Sequence, residues 1–231
     1  MSTGPGKETS DAVLEEAAAE AVRQGKDIRE KVQELTLGAL EGRPFDRHNI
    51  REVVRAVTEG AVKGTGHNRA QMRAAMSEML QGLDQALRVS ATAGGVALKE
   101  LTATGRAFSD NDLKAALASF RKIEDDFLGT VKQVADAANA QVRPELREAL
   151  REARQAGTAT GREVAVTMGD FAQKFTAASF DAALVGLEAA GEFGQRFALV
   201  ASGVLGGLAQ ALHRAPKDKK DKKDPGNSGA T

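Results

Sequence analysis

The chain has 231 residues and contains no cysteine, tryptophan or tyrosine. The missing thiols exclude structural disulfides, thiolate metal sites and a cysteine nucleophile. Nine phenylalanines are the only aromatic residues. The rings that usually anchor membrane-interface belts and tight protein hot spots are therefore absent, and stacking on a sugar or base falls to Phe alone. Neither sign of charge is in excess, because 32 Lys and Arg face 32 Asp and Glu. No strong field steers the protein toward nucleic acid or an anionic membrane. The longest uncharged stretch, Phe197 to Leu212, falls short of the roughly 20 residues of a spanning helix and includes Ser202, Gly203, Gly206, Gly207 and Gln210. Met1 to Ser10 is polar and has no apolar signal core, so a cytoplasmic location is expected.

Motifs that carry chemistry are as scarce. His48, His67 and His213 stand far apart, with no His-Glu-x-x-His or Glu-x-x-His pair, so no metal centre is expected. Gly64-Thr65-Gly66-His67-Asn68 has the glycines of a phosphate cradle but lacks the preceding strand and the Lys-Ser/Thr pair, and reads as a turn between helices. Glu124, Asp125 and Asp126 occupy consecutive helical positions that point in different directions, and read as solvated charge. There is no Gly-x-Ser-x-Gly elbow and no dinucleotide fingerprint. An enzymatic role and a cofactor are not expected.

What the chain does have is helical periodicity. From Asp11 to Leu40 the positions Leu14, Ala18, Ala21, Gly25, Ile28, Val32, Leu35 and Ala39 alternate spacings of four and three. That pattern predicts one long helix with a heptad seam, in which Leu14, Ile28, Val32 and Leu35 are the self-association residues. Asp46 offers an N-cap for a shorter helix with Ile50, Val53, Val54, Val57 and Ala61 on one face. Asn68 starts a third, running to about Phe108, with Met72, Met76 and Met79 at core spacing. Ser109 to Asp112 signal a fourth, carrying Leu113, Leu117, Phe120, Ile123, Phe127, Val131, Val134 and Ala138. Pro144 suits the first turn of a helix, and Thr160 with Glu163 matches a capping box.

Gly161 to Leu212 differs from all of these. A narrow polar strip leaves two apolar faces, one with Val164, Met168, Phe171, Phe175, Phe193, Phe197, Val200 and Val204, the other with Phe180, Leu184, Leu187 and Leu205. The apolar spacing, continued by Leu208, fits an eleven-residue repeat and hence a straight rod. A helix apolar on two sides is either central in a bundle or laid on something apolar. Gly203 and Gly207 form a Gly-x-x-x-Gly pair that permits close helix approach. After it, Lys217, Lys219, Lys220, Lys222 and Lys223 interleave with Asp218, Asp221 and Asp224 in a polar tail.

These elements predict an all-α fold, an elongated antiparallel bundle of long helices. Residues 1–10 are expected to be a disordered N-terminus, 11–142 four helices, 143–213 a long apolar-rich helix or helix pair, and 214–231 a disordered Lys/Asp tail. Phe171, Phe175, Phe193 and Phe197 on an amphipathic rod, with the lysine-containing tail, resemble in general character the phasins, Ala-rich, cysteine-free bacterial helical proteins that coat polyester granules. The broad apolar sector of Gly161 to Leu212 leads to the expectation that the protein self-associates into an oligomer and covers an apolar surface, such as a storage granule or lipid assembly, through Phe171, Phe175, Phe180, Leu184, Leu187, Phe193, Phe197, Val200, Val204, Leu205 and Leu208. A soluble bundle scaffold without a lipid partner accounts for the same faces, and a membrane-inserting helix over Phe197 to Leu212 is the third reading. No nucleic-acid partner is expected.

Overall fold

A computed structural model describes residues 5–41, 43–103, 110–172 and 192–214. Their regular structure is all α-helix, which bears out the predicted fold class. In chain order the helices are α1 (Pro5–Gln24), α2 (Ile28–Glu41), α3 (Arg47–Gly64), α4 (Arg69–Ala103), α5 (Asp110–Arg121), α6 (Ile123–Ala137), α7 (Val142–Ala156), α8 (Ala159–Ala172) and α9 (Glu192–Arg214).

The long helix expected over Asp11 to Leu40 is instead a hairpin. Gly25 and Asp27 both sit at positive φ, 62° and 54°, and the Gly25 N–H closes the end of α1 on the Val22 carbonyl at 3.0 Å. Glycine adopts that left-handed geometry without penalty. The four-three spacing runs on through the turn, so a periodicity count cannot see it. Lys31 on α2 donates back to Gln24 on α1 at 2.6 Å, which fixes the two as antiparallel.

The helix starts are largely where the caps put them. Asp46 caps α3, accepting the Asn49 N–H at 2.8 Å. Asn68 accepts the N–H groups of Ala70 and Gln71 at 3.0 and 3.2 Å. The helix expected from Asp110 onward is broken at Lys122 (φ −88°, ψ 0°), giving α5 and α6. Residues 104–109, including the predicted end at Phe108, lie outside the described residues. Pro144 falls in the first turn of α7, where its missing N–H costs nothing.

Three layers result. α1, α2 and α9 form one outer layer, α3 and α4 the middle, and α6 with α7 and α8 the other outer layer. α1 and α2 run antiparallel, with Arg43 just past α2 paired to Asp11 near the start of α1, whereas α1 and α3, two steps apart, run parallel. Glu15 and Ala19 of α1 meet Gly60 and Gly64 of α3 in that order. Along α4, Arg69 pairs with Glu145, Arg73 with Glu148 and Glu152, and Lys99 with Asp170, so α7 and α8 follow α4 in parallel.

The shared centre of the bundle is α4, which packs against α2, α3, α5, α7, α8 and α9. That role had been expected of Gly161 to Leu212. The physical reason is volume. Neighbours on every side can approach a helix closely only if it is thin, and α4 is buried through Ala86, Ser90, Ala91, Ala93, Gly94, Gly95 and Ala97, with Leu83, Leu87 and Leu98 between them. Phe45 and Phe120 fill the space over Gly94, where a Cβ would stand 3.0 to 3.1 Å from their rings. Of the rod expected over Gly161 to Leu212, residues 173–191 lie outside the described residues. α8 runs with α4, whereas α9 passes Phe45, Arg43 and Glu41 in reverse order as it advances through Phe197, Ser202 and Gly206.

The close helix approach expected of Gly203 and Gly207 occurs elsewhere. A Cβ on Gly60 would lie 2.1 Å from the Glu15 carbonyl oxygen, and one on Gly64 would lie 2.3 Å from that of Ala19. This Gly-x-x-x-Gly pair lets α1 and α3 touch backbone to backbone. Among the described residues, nothing lies within 4 Å of the equivalent point on Gly203 or Gly207.

Candidate functional site

α9 turns one stripe inward and leaves the other open. Phe197, Ala201, Leu205 and Ala209 are buried, and the Phe197 ring meets Phe45 edge-on at 5.9 Å. The Ser202 hydroxyl donates to the Arg43 carbonyl at 3.0 Å. On the outside, Gly203, Gly207, Gln210 and Ala211 are exposed, flanked by half-buried Val200, Val204 and Leu208. No charged residue occurs from Phe197 to Leu212. The charged residues of α9 stand toward its ends, at Glu192, Arg196 and Arg214, whereas each of α1 to α8 carries an exposed charged side chain, for example Glu16, Glu34, Arg51, Arg73, Arg121, Lys132, Arg151 and Arg162.

This arrangement separates the residues predicted for an apolar partner. Phe171, Phe197 and Leu205 are in the bundle's own core. Val200, Val204 and Leu208 lie on its margin. Phe175, Phe180, Leu184 and Leu187 lie outside the described residues, as does the side chain of Phe193. The seam residues divide too. Leu14, Ile28 and Val32 are buried within the chain, Ile28 and Val32 on the helix that packs on α4, while Leu35 is half-buried.

Leu14 and Leu35 share a feature that spacing alone does not predict, because it depends on the hairpin. Between α1 and α2 lies a shallow, open cleft of about 640 Å³, with Leu14, Ala17, Ala21, Leu35, Gly38 and Ala39 among its lining and Glu20, Lys31 and Glu34 contributing its charge. Val13, also in the lining, is 64% exposed.

A polar junction joins α7 to α8. Gly157, at φ +73°, ends α7, and the Thr158 hydroxyl accepts the Gly161 N–H at 2.8 Å. Thr158, not the expected Thr160, is thus the helix cap. The Asp84 carboxylate of α4 accepts the N–H groups of Ala159 and Thr160 at 2.7 and 2.9 Å and the Thr160 hydroxyl at 2.8 Å. An anion at a helix N-terminus meets both the unpaired donors and the favourable end of the helix dipole. Glu124 of α6 bonds to the Thr158 hydroxyl, and Arg47 of α3 grips Asp126 with two nitrogens. The acidic triplet is therefore not simply solvated charge: Glu124 and Asp126 tie helices together, and Asp125 alone is exposed.

Elsewhere the charges form ladders between helices. Arg73 bridges Glu148 and Glu152, and is raised above the ordinary arginine value chiefly by its bond to Glu152. Asp136 is held below the ordinary aspartate value by Lys132 and Arg147. The His48 Nε2 lies 2.9 Å from Glu52 one turn on. Among the described residues there is no group of three or more His, Cys, Asp or Glu that could hold a metal ion, and no helix long and apolar enough to cross a membrane.

The fold defines an all-α bundle whose most distinctive surfaces are an uncharged helix face and an apolar cleft. The chain belongs to DUF6781, a family of unknown function that matches residues 5–214. No curated protein and no solved structure matches it.

Proposed function

We propose that the protein is non-enzymatic and works by association, joining copies of itself and covering an apolar surface such as a storage granule or lipid assembly through α9. The observation that carries this reading is the uncharged exposed side of α9 from Val200 to Ala211, within the longest charge-free run of the chain. Removing such a face from water costs no ion desolvation, whereas the charged sides of α1 to α8 would lose theirs. Gly203 and Gly207 offer a second helix the kind of approach that Gly60 and Gly64 give α1. The test is flotation of the intact protein with lipid vesicles and with polyester particles, alongside sedimentation in buffer. Gly203→Glu with Gly207→Glu should abolish both surface binding and self-association while leaving the fold intact. Wild-type protein that neither floats nor associates would sink the reading.

A second reading is favoured by exposed Val13 beside the α1–α2 cleft. There the protein is a soluble scaffold that receives an apolar helix in the cleft, in the helix-in-groove manner. Gly38→Leu, at a point with nothing within 4 Å, fills the cleft. Wild-type protein that captures an apolar helix but binds neither vesicles nor particles, with capture lost in that variant, selects the scaffold.

A further inference from the structure

Several helices of this bundle bury one hydroxyl-bearing residue, Thr36 on α2, Thr58 on α3, Ser90 on α4 and Thr130 on α6, and the short α8 buries two. Its inward stripe is Thr160, Val164, Thr167 and Phe171, at 0%, 6%, 4% and 2% exposure, so half of it is hydroxyl-bearing. On its outward side Val166 is 63% exposed. The buried face of α3 has Ile50, Val53, Val54, Val57 and Ala61 beside a single threonine, Thr58. Beneath α8 the floor is also thin, since Thr167 Oγ1 sits 2.8 Å from where a Gly95 Cβ would be.

Little apolar area therefore holds α8 to α4. Val164 and Phe171 supply most of it, and the remainder is polar: the Asp84 and Glu124 contacts at one end and the Lys99–Asp170 ion pair, about half exposed, toward the other. Water replaces such contacts with small net loss. A two-residue link, Gly157 and Thr158, separates α8 from α7, and the positive φ of Gly157 marks a glycine hinge.

We propose that α8 is a strap that leaves α4 as a unit, hinged at Gly157 and latched by Asp84 and Glu124, while α1 to α4, α6 and α7 stay folded. Opening turns Val164, Met168 and Phe171 outward as one apolar stripe at four-three spacing and uncovers the small-residue side of α4 around Gly95. The strap does not depend on the α9 reading. It supplies a second apolar stripe that the closed bundle conceals.

Hydrogen exchange of the full chain in buffer, followed by mass spectrometry, tests it. Amides of 159–172 should exchange faster than those of α3 and of the buried part of α4. Asp84→Ala should speed 159–172 a further tenfold or so, the effect of losing a helix cap, with α3 unchanged. Glu124→Gln, which keeps the side chain's size, should give a smaller rise confined to the same segment. If 159–172 exchanges at the rate of α3, or if both variants raise all helices together, α8 belongs to the global cooperative unit and there is no strap. If neither variant changes 159–172, there is no latch. Should Asp84→Ala fail to fold, the wild-type contrast and Glu124→Gln decide the question alone.

Discussion

Replacing Gly60 by alanine should destabilise the protein, although the same change is normally favourable within a helix. The new Cβ would stand 2.1 Å from the Glu15 carbonyl oxygen and 2.9 Å from the Ala18 Cβ. A relaxed carbon-to-oxygen contact needs about 3.3 Å, so α1 must move outward by roughly 1 Å at this point. It cannot do so locally, because Leu14, Ala18 and Val22 are buried on the same helix and the obstacle is backbone. Overpacking of this kind costs about 1–3 kcal/mol, with a rigid obstacle placing it at or above the upper end, and the gain in helix propensity offsets about 1 kcal/mol. The net expectation is a loss of about 2 kcal/mol or more, or at least roughly 4–8 °C in melting temperature for a chain of this size. Gly129→Ala is the control, in α6 with nothing within 4 Å; there the propensity gain stands alone, about 0.5–1 kcal/mol of added stability. Urea denaturation followed by helical circular dichroism gives both signs, read as shifts of midpoint at constant slope. A Gly60→Ala midpoint at or above that of the wild type would refute the backbone contact between α1 and α3.

Asp46→Ala removes the acceptor for the Asn49 N–H and should cost about 1 kcal/mol by the same denaturation assay, whereas an unchanged midpoint would mean the cap is redundant. Arg69→Ala should cost more than Arg73→Ala, because the Glu145 side chain is only 5% exposed while Glu148 and Glu152, partners of Arg73, are 32% and 46% exposed. The Arg73 effect should stay below about 1 kcal/mol and fade in high salt; equal losses in the two variants would contradict this burial difference. Asp136 should titrate below the ordinary aspartate value in a carboxyl-detected NMR titration, because Lys132 and Arg147 favour its charged form. The folded value being the lower one, its contribution is fully present above the unfolded value and is lost as pH falls through the folded one. Arg147→Gln should move the midpoint upward, and no movement would remove Arg147 as a cause.

Sequence reading went far where a helix signal is local. Asp46 and Asn68 cap the helices assigned to them because a side-chain acceptor three residues or fewer from its donor needs no tertiary partner. It misread the α1–α2 hairpin because Gly25 fits a seam position as well as a turn. It also misplaced the cap of α8, because the acceptor that selects that start, Asp84, is 75 residues away from Ala159. The site was legible in part. The charge-free run Phe197 to Leu212 predicted an unusual surface on α9, while the α1–α2 cleft depends on a fold-back that spacing did not reveal.

By itself, then, the sequence determined that the regular structure is helical, where α3, α4, α5 and α7 begin, and that one terminal helix carries a long charge-free run, since propensity, capping and charge are written residue by residue. Which helix stands at the centre was decided only in three dimensions. Apolar breadth pointed to Gly161 to Leu212, but a centre must be narrow as well as apolar, and the glycines and alanines of α4 meet that condition. The same tertiary constraint draws Phe171, Phe197 and Leu205 into the core and leaves Gly203, Gly207, Gln210 and Ala211 outside. Periodicity gives the faces of a helix, and its neighbours decide which face is inside.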